Sequence, residues 1–174
     1  MDPAAICNSV AGGCGNIASA DYSFVGGGGY NVASGPYATI SGGRGNRAPG
    51  EYGTVGGGWS NYANAYRATV GGGGNNLAGH GASTVSGGLQ NRATAQFSTV
   101  GGGAQNTSSA WKSTVGGGEL NQASGGSFTV AGGQRNVAGG NFTSVGGGYS
   151  NEANRLAATV AGGYDNTVRA EYAT

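Results

Sequence analysis

The sequence predicts an all-β fold: a parallel β-solenoid (β-roll) of about eleven coils, fifteen residues to a coil, in a single domain over residues 1–174. Three columns predict it. Asparagine stands at every fifteenth position without a slip, at Asn16, Asn31, Asn46, Asn61, Asn76, Asn91, Asn106, Asn121, Asn136, Asn151 and Asn166. A Gly-Gly pair keeps the same beat from Gly12-Gly13 to Gly162-Gly163. An apolar β-branched residue does so too, from Val10 and Val25 through Ile40 to Val160. A short fixed period sustained over a whole chain marks a solenoid in which each coil stacks on the next.

One repeat runs Asn31-Val-Ala-Ser-Gly-Pro-Tyr-Ala-Thr-Ile-Ser-Gly-Gly-Arg-Gly45. Its Tyr37-Ala38-Thr39-Ile40-Ser41 stretch alternates and is rich in β-branched and aromatic residues, which predicts a strand. Asn31-Val32-Ala33 reads as a second, shorter strand. Gly42-Gly43 and Ser34-Gly35 supply the two bends, because glycine takes a positive φ at no steric cost. A helix is excluded, since the glycine pairs would interrupt it in every repeat. The chain has no Asn-Gly dipeptide, so a meander of tight hairpins is disfavoured. Two strands per coil, each stacked on its equivalent about 4.8 Å away, make a rod roughly 50 Å long.

Alternation places Ala33, Ala38 and Ile40 inside the coil and Tyr37, Thr39 and Ser41 outside. Phe128 is the one large residue in the Ala38 column. The asparagines read as a buried ladder in which each side-chain amide bonds to those above and below. Such a core is thin. Burying a valine contributes roughly 1.5–3 kcal/mol, while ordering each residue's backbone costs about 1–2 kcal/mol. Association with further copies of the chain is therefore expected to add stability.

Composition narrows the function. Of 174 residues 41 are glycine, only 9% are charged, and eight Lys+Arg face seven Asp+Glu scattered singly. No basic stripe offers a nucleic-acid footprint. No apolar run approaches the roughly 20 residues that span a bilayer. Met1-Asp2-Pro3-Ala4-Ala5-Ile6 is too short and acidic for a secretory signal, so an extracellular protein would need export information elsewhere or release by lysis. Cys7 and Cys14 are a candidate disulfide, within the first coil or to a neighbouring chain, with free thiols as the alternative. No Cys/His cluster accompanies them, so no metal site is expected.

Catalytic groups are missing as well. His80 is the only histidine and has no acidic neighbour in phase, so neither a triad nor a metal centre forms around it. Gly71-Gly72-Gly73-Gly74 lacks the Lys-Ser/Thr of a phosphate loop. Calcium-binding β-rolls need an Asp in every turn, and only Asp165 is near a glycine pair here. The expectation is no enzyme and no cofactor.

What remains is surface. Thr39, Thr54, Thr69, Thr84, Thr99, Thr114 and Thr129 form an outward row, continued by Thr159 and Thr174. Beside it runs a glycine, serine or alanine column. Together they make a candidate flat face, suited to close packing against another sheet or to ordering water as an ice-binding surface. Aromatic residues gather outside, with Tyr22, Tyr37, Tyr52, Phe97, Phe142 and Tyr172 in one column and Trp59, Tyr149 and Tyr164 in another. Exposed rings suit contact with sugars or a partner chain. Asn106-Thr107-Ser108 and Asn141-Phe142-Thr143 fit the glycosylation triplet, although Asn106 belongs to the ladder.

Segments such as Asn31-Val-Ala-Ser-Gly-Pro-Tyr-Ala-Thr-Ile-Ser-Gly-Gly resemble the head repeats of trimeric autotransporter adhesins and related phage tail fibres. The resemblance covers essentially the whole chain. It implies a left-handed parallel β-roll, three chains about one axis, exposed on a cell surface or virion and used for attachment. This chain departs from the family at its paired apolar positions, which here hold the threonine and small-residue columns with only valine between. The function expected is thus a non-enzymatic structural or adhesive element of an extracellular fibre. Its partners would be copies of itself, as a filament or trimer, and a surface glycan or host receptor. Ice binding and a tail-fibre receptor-binding segment are the alternatives. The repeat runs to Thr174 in mid-coil without a polar cap, so open ends are expected to join into a filament, or side faces to close a small oligomer.

Overall fold

In the computed structural model, which describes residues 7–174, the chain is an all-β solenoid without helix. The Met1–Ile6 stretch read above for a leader lies outside the described residues. Twenty-two strands of two residues each build two parallel sheets. The odd-numbered strands stack in sequence order from β1 (Ser9–Val10) to β21 (Thr159–Val160). The even-numbered strands stack from β2 (Ile17–Ala18) to β22 (Thr167–Val168). Every rung pairs with its equivalent fifteen residues on, as in Val85↔Val100 and Ala78↔Ala93. A one-residue slip would turn each valine outward, so the buried column fixes the register.

A third ladder joins the two sheets. One residue per coil, from Cys14 and Gly29 through Arg44 and Trp59 to Tyr164, makes a parallel bridge to the next coil. Sequence reasoning allows two strands per coil and misses this one. A single bridging residue between two bends has no alternation to display, and its column mixes Cys, Gly, Arg, Trp, Leu and Glu.

The bends also differ from expectation. The Gly42-Gly43 bend is where the sequence puts it. The other turn places its left-handed residue at Tyr37 (φ 56), two residues beyond Gly35, so the strand is only Thr39–Ile40. The same corner recurs at Tyr52, Arg67, Ala82, Phe97 and Lys112. A left-handed conformation costs a non-glycine residue roughly 1–2 kcal/mol, and coil stacking offsets it. Tyr37 N–H donates backwards to Asp21 C=O at 2.8 Å, and Tyr52 N–H to Pro36 C=O at 2.9 Å. A second left-handed corner, just before each asparagine, does the same: Tyr30 N–H donates back to Cys14 C=O and Ser60 N–H to Arg44 C=O, both at 2.9 Å. Along the strands the bonds run forwards, as from Thr39 N–H to Gly53 C=O, so these two corners are where the ladder reverses direction, each with a positive φ.

Inside lie the valine/isoleucine column, the alanine column that includes Ala33 and Ala93, and the small-residue column that includes Ala38. Where the last column holds serine, Ser83 and Ser98 each donate to a carbonyl three residues back, at His80 and Ala95, both at 2.6 Å. Among the described residues no buried side-chain nitrogen or oxygen lacks a partner.

Phe128 fits this narrow interior because Gly125 leaves room. A Cβ on Gly125 would overlap the ring carbons Cζ and Cε2, whereas Ala20, Ala65, Ala95 and Ala110 fill that column elsewhere. Phe128→Ala is expected to cost only about 1–2 kcal/mol, below the usual 3–5 for Phe→Ala, because alanine is native to this column. Gly125→Ala is expected to cost more than that alone, yet less in the Phe128→Ala background. Urea unfolding of the four-variant cycle checks this, and additive effects would show that ring and glycine are not coupled.

Candidate functional site: the ladder and the outer faces

The asparagine column is an interior scaffold. Asn31 to Asn151 are buried, and only the terminal Asn16 and Asn166 reach solvent. The bonding differs from the amide-to-amide ladder expected. Asn91 Nδ2 donates to two glycine carbonyls, Gly87 of its own coil at 2.9 Å and Gly103 of the next at 2.8 Å. Its Oδ1 accepts the backbone N–H of Asn106 at 2.9 Å. The same three bonds recur at Asn46, Asn61, Asn76 and Asn121. Direct amide-to-amide contacts, such as Asn151 Nδ2 to Asn136 Oδ1 at 3.1 Å, occur only in some coils. Asparagine fits because one planar group supplies two donors and an acceptor. The side chain therefore clamps its own glycine bend to the next coil.

That clamp explains the glycine pair. The second glycine of each pair has a positive φ, as at Gly73 (φ 82), and a Cβ there would overlap Gly88 C=O. It would also lie 2.9 Å from Asn76 Nδ2. The first glycine meets nothing within 4 Å, as at Gly72; its carbonyl receives Asn76 Nδ2 at 2.8 Å.

Outside, Thr39, Thr54, Thr69, Thr84, Thr99 and Thr114 are half-buried and Thr129 is exposed. They lie in direct register on seven consecutive rungs. Among the described residues no disulfide joins Cys7 to Cys14 within the chain, and both are exposed. Cys14 belongs to the third ladder, and Cys7 comes seven residues, about half a coil, before it. His80 caps its own turn, its Nδ1 accepting Gly81 N–H at 2.8 Å. Among the described residues no group of three His, Cys, Asp or Glu could hold a metal ion. None of them forms a helix long and apolar enough to cross a membrane. Of the two glycosylation triplets, Asn106 is buried and Asn141 exposed.

The aromatic columns are ordered. Tyr22, Tyr37 and Tyr52 stack at 5.0 and 4.9 Å with interplanar angles of 6° and 9°. Arg67 continues the row, its guanidinium 4.9 Å from the centre of Tyr66 and 5.9 Å from that of Tyr52. Tyr149 and Tyr164 stack at 5.2 Å, and Arg135 donates to Tyr149 Oη at 3.0 Å.

One column has no assignment from sequence alone, the residue after each asparagine. Its rungs Arg47, Tyr62, Leu77 and Arg92 are consecutive neighbours in one sheet. They line a shallow groove of about 570 Å³ together with Ser60, Asn75 and Gln90. Reading the variable columns down the rod, rather than along the chain, is the signal that would have found it. Compared with known proteins, the chain matches no family model and no curated sequence.

Proposed function

We propose that the protein is a non-enzymatic structural and adhesive rod of an extracellular fibre, displayed on a cell surface or virion. The observation that carries this reading is a division of labour among columns. The residues repeated in nearly every coil, Asn, the glycine pair, Val and Ala, are all engaged in holding coil to coil. Outside, only the threonine row is comparably constant; the other outward columns vary, and twelve of the fifteen aromatic side chains are exposed. Exposed apolar surface on that scale marks an interaction site. Its partners are copies of the chain, as filament or trimer, and a surface glycan or receptor. Beads coated with the protein are expected to be retained on an array of glycans and matrix proteins, and retention should fall when Tyr22, Tyr37 and Tyr52 are all alanine. Coated beads that stick no better than bare ones would end the adhesive part. Sedimentation at micromolar concentration tests self-association, against which a monodisperse monomer would count.

A second reading, ice binding, is favoured by one observation: seven threonines in unbroken register beside a column of small residues. Thermal hysteresis in dilute solution, lost on Thr84→Tyr with Thr99→Tyr, would decide for it. Ordinary freezing behaviour would remove it.

A further inference from the structure

We propose that the groove along β6 (Arg47–Ala48), β8 (Tyr62–Ala63), β10 (Leu77–Ala78) and β12 (Arg92–Ala93) binds an acidic linear polysaccharide lying parallel to the rod axis. The proposal rests on the adhesive reading for its setting and names the ligand class. Its geometry begins with register. Arg47, Tyr62, Leu77 and Arg92 follow one another on successive rungs, so the two arginines stand about 14 Å apart, three steps of about 4.8 Å. A β-linked pyranose advances by nearly one such step, so a sugar chain along the groove stays in phase with the coils.

Chemistry then selects the sugar. Both arginines are exposed, and Tyr62 and Leu77 between them are half-buried, giving an apolar strip against which sugar C–H faces can lie. Asn75 and Gln90 on the neighbouring column supply amide donors and acceptors for hydroxyl groups. No carboxylate lines the groove. Between Arg44 and Gln105 the chain has four arginines and a single acid, Glu51, although its overall charge is only +1. A guanidinium fork matches a uronate carboxylate or a sulfate ester in two parallel hydrogen bonds. A volume of about 570 Å³ falls in the range of ligand clefts, about 300–1,000 Å³. Nucleic acid fits less well, because its phosphates would call for a cation at nearly every step and the groove has two.

Calorimetric titration of the full chain tests this with short β-linked oligomannuronate, a sulfated oligosaccharide, a neutral β-linked gluco-oligosaccharide and single-stranded DNA. At least one acidic sugar is expected to bind and the neutral one not; which acidic sugar binds separates carboxylate from sulfate recognition. Arg47→Ala and Arg92→Ala should each weaken binding about tenfold, and Arg47→Glu with Arg92→Glu should abolish it. The pair Lys112→Glu and Arg155→Glu makes the same charge change outside the groove and should alter affinity by no more than about twofold. All these side chains are exposed, and an unchanged circular dichroism spectrum confirms folding. No acidic sugar bound, equal binding of the neutral sugar, tighter binding of DNA, or an equal loss in the off-groove pair would each overturn the proposal. Beads of the Arg47→Glu, Arg92→Glu protein keep the two readings apart. If they still attach to the array while no sugar binds the native chain, the groove assignment fails and the adhesive one stands.

Discussion

Replacing Asn91 by alanine is expected to lower the unfolding free energy by about 3–5 kcal/mol, a large loss for a single side chain. Two backbone groups lose their partner at once, Gly87 C=O and Asn106 N–H, and Gly103 C=O keeps only the Leu89 N–H. Each buried group left unpaired costs about 1–3 kcal/mol, partly relieved if water enters the gap. The effect should depend on place. Asn166 is exposed, solvent can replace its bonds to Gly162 C=O and Asn151 Oδ1, and Asn151 Oδ1 keeps the Asn166 backbone N–H, so Asn166→Ala should cost about 1 kcal/mol or less. Guanidinium unfolding of both variants measures the contrast, and hydrogen exchange at the Asn106 amide should accelerate in Asn91→Ala. Equal costs at the two sites would show that the ladder contributes nothing special in mid-rod.

Gly73→Ala should be of similar size, about 3–4 kcal/mol, for a different reason. The new Cβ would sit on a residue at φ 82 and overlap Gly88 C=O, which is backbone and cannot swing aside. The left-handed conformation alone accounts for about 1–2 kcal/mol, and the forced separation of two coils weakens the neighbouring clamp bond from Asn76 Nδ2 to Gly88 C=O, now 2.9 Å. Gly72→Ala is the matched control. It is adjacent in sequence and equally regular in the repeat, yet its Cβ would meet nothing within 4 Å, so it should cost less than about 1 kcal/mol. Thermal melts of the pair test the assignment. A Gly72→Ala loss as large as that of Gly73→Ala would mean that the pair acts through chain flexibility and not through the bend.

These two results separate what was readable from what was not. The period exposes the Asn, Gly-Gly and Val columns because each coil repeats the same packing problem, and alternation then puts Ala33, Ala38 and Ile40 inside. The period says nothing of which glycine in a pair is indispensable. Gly72 and Gly73 recur with equal fidelity, and only the position of the next coil's carbonyl distinguishes them. The asparagine ladder is legible as a column, but its partners are not, since an amide can satisfy itself on another amide or on backbone with equal chemistry. Here the backbone lies closer to hand.

The left-handed corner at Tyr37, Arg67 and Lys112 has no residue signature at all. It arises because the N–H there reaches back to the preceding coil, and such a bond exists only once coils are stacked. The same holds for the groove. Arg47 and Arg92 are distant in the chain and share no motif, and stacking alone brings them onto one face with Tyr62 and Leu77 between them. Coil length, the number of coils, the β class and the interior columns were legible in the residues alone, because those follow from a period and from the water-avoidance of small apolar residues. The corner conformations, the third ladder, the amide partners and the Arg47–Arg92 groove emerge only on stacking, because each depends on contacts made once one coil lies on the next.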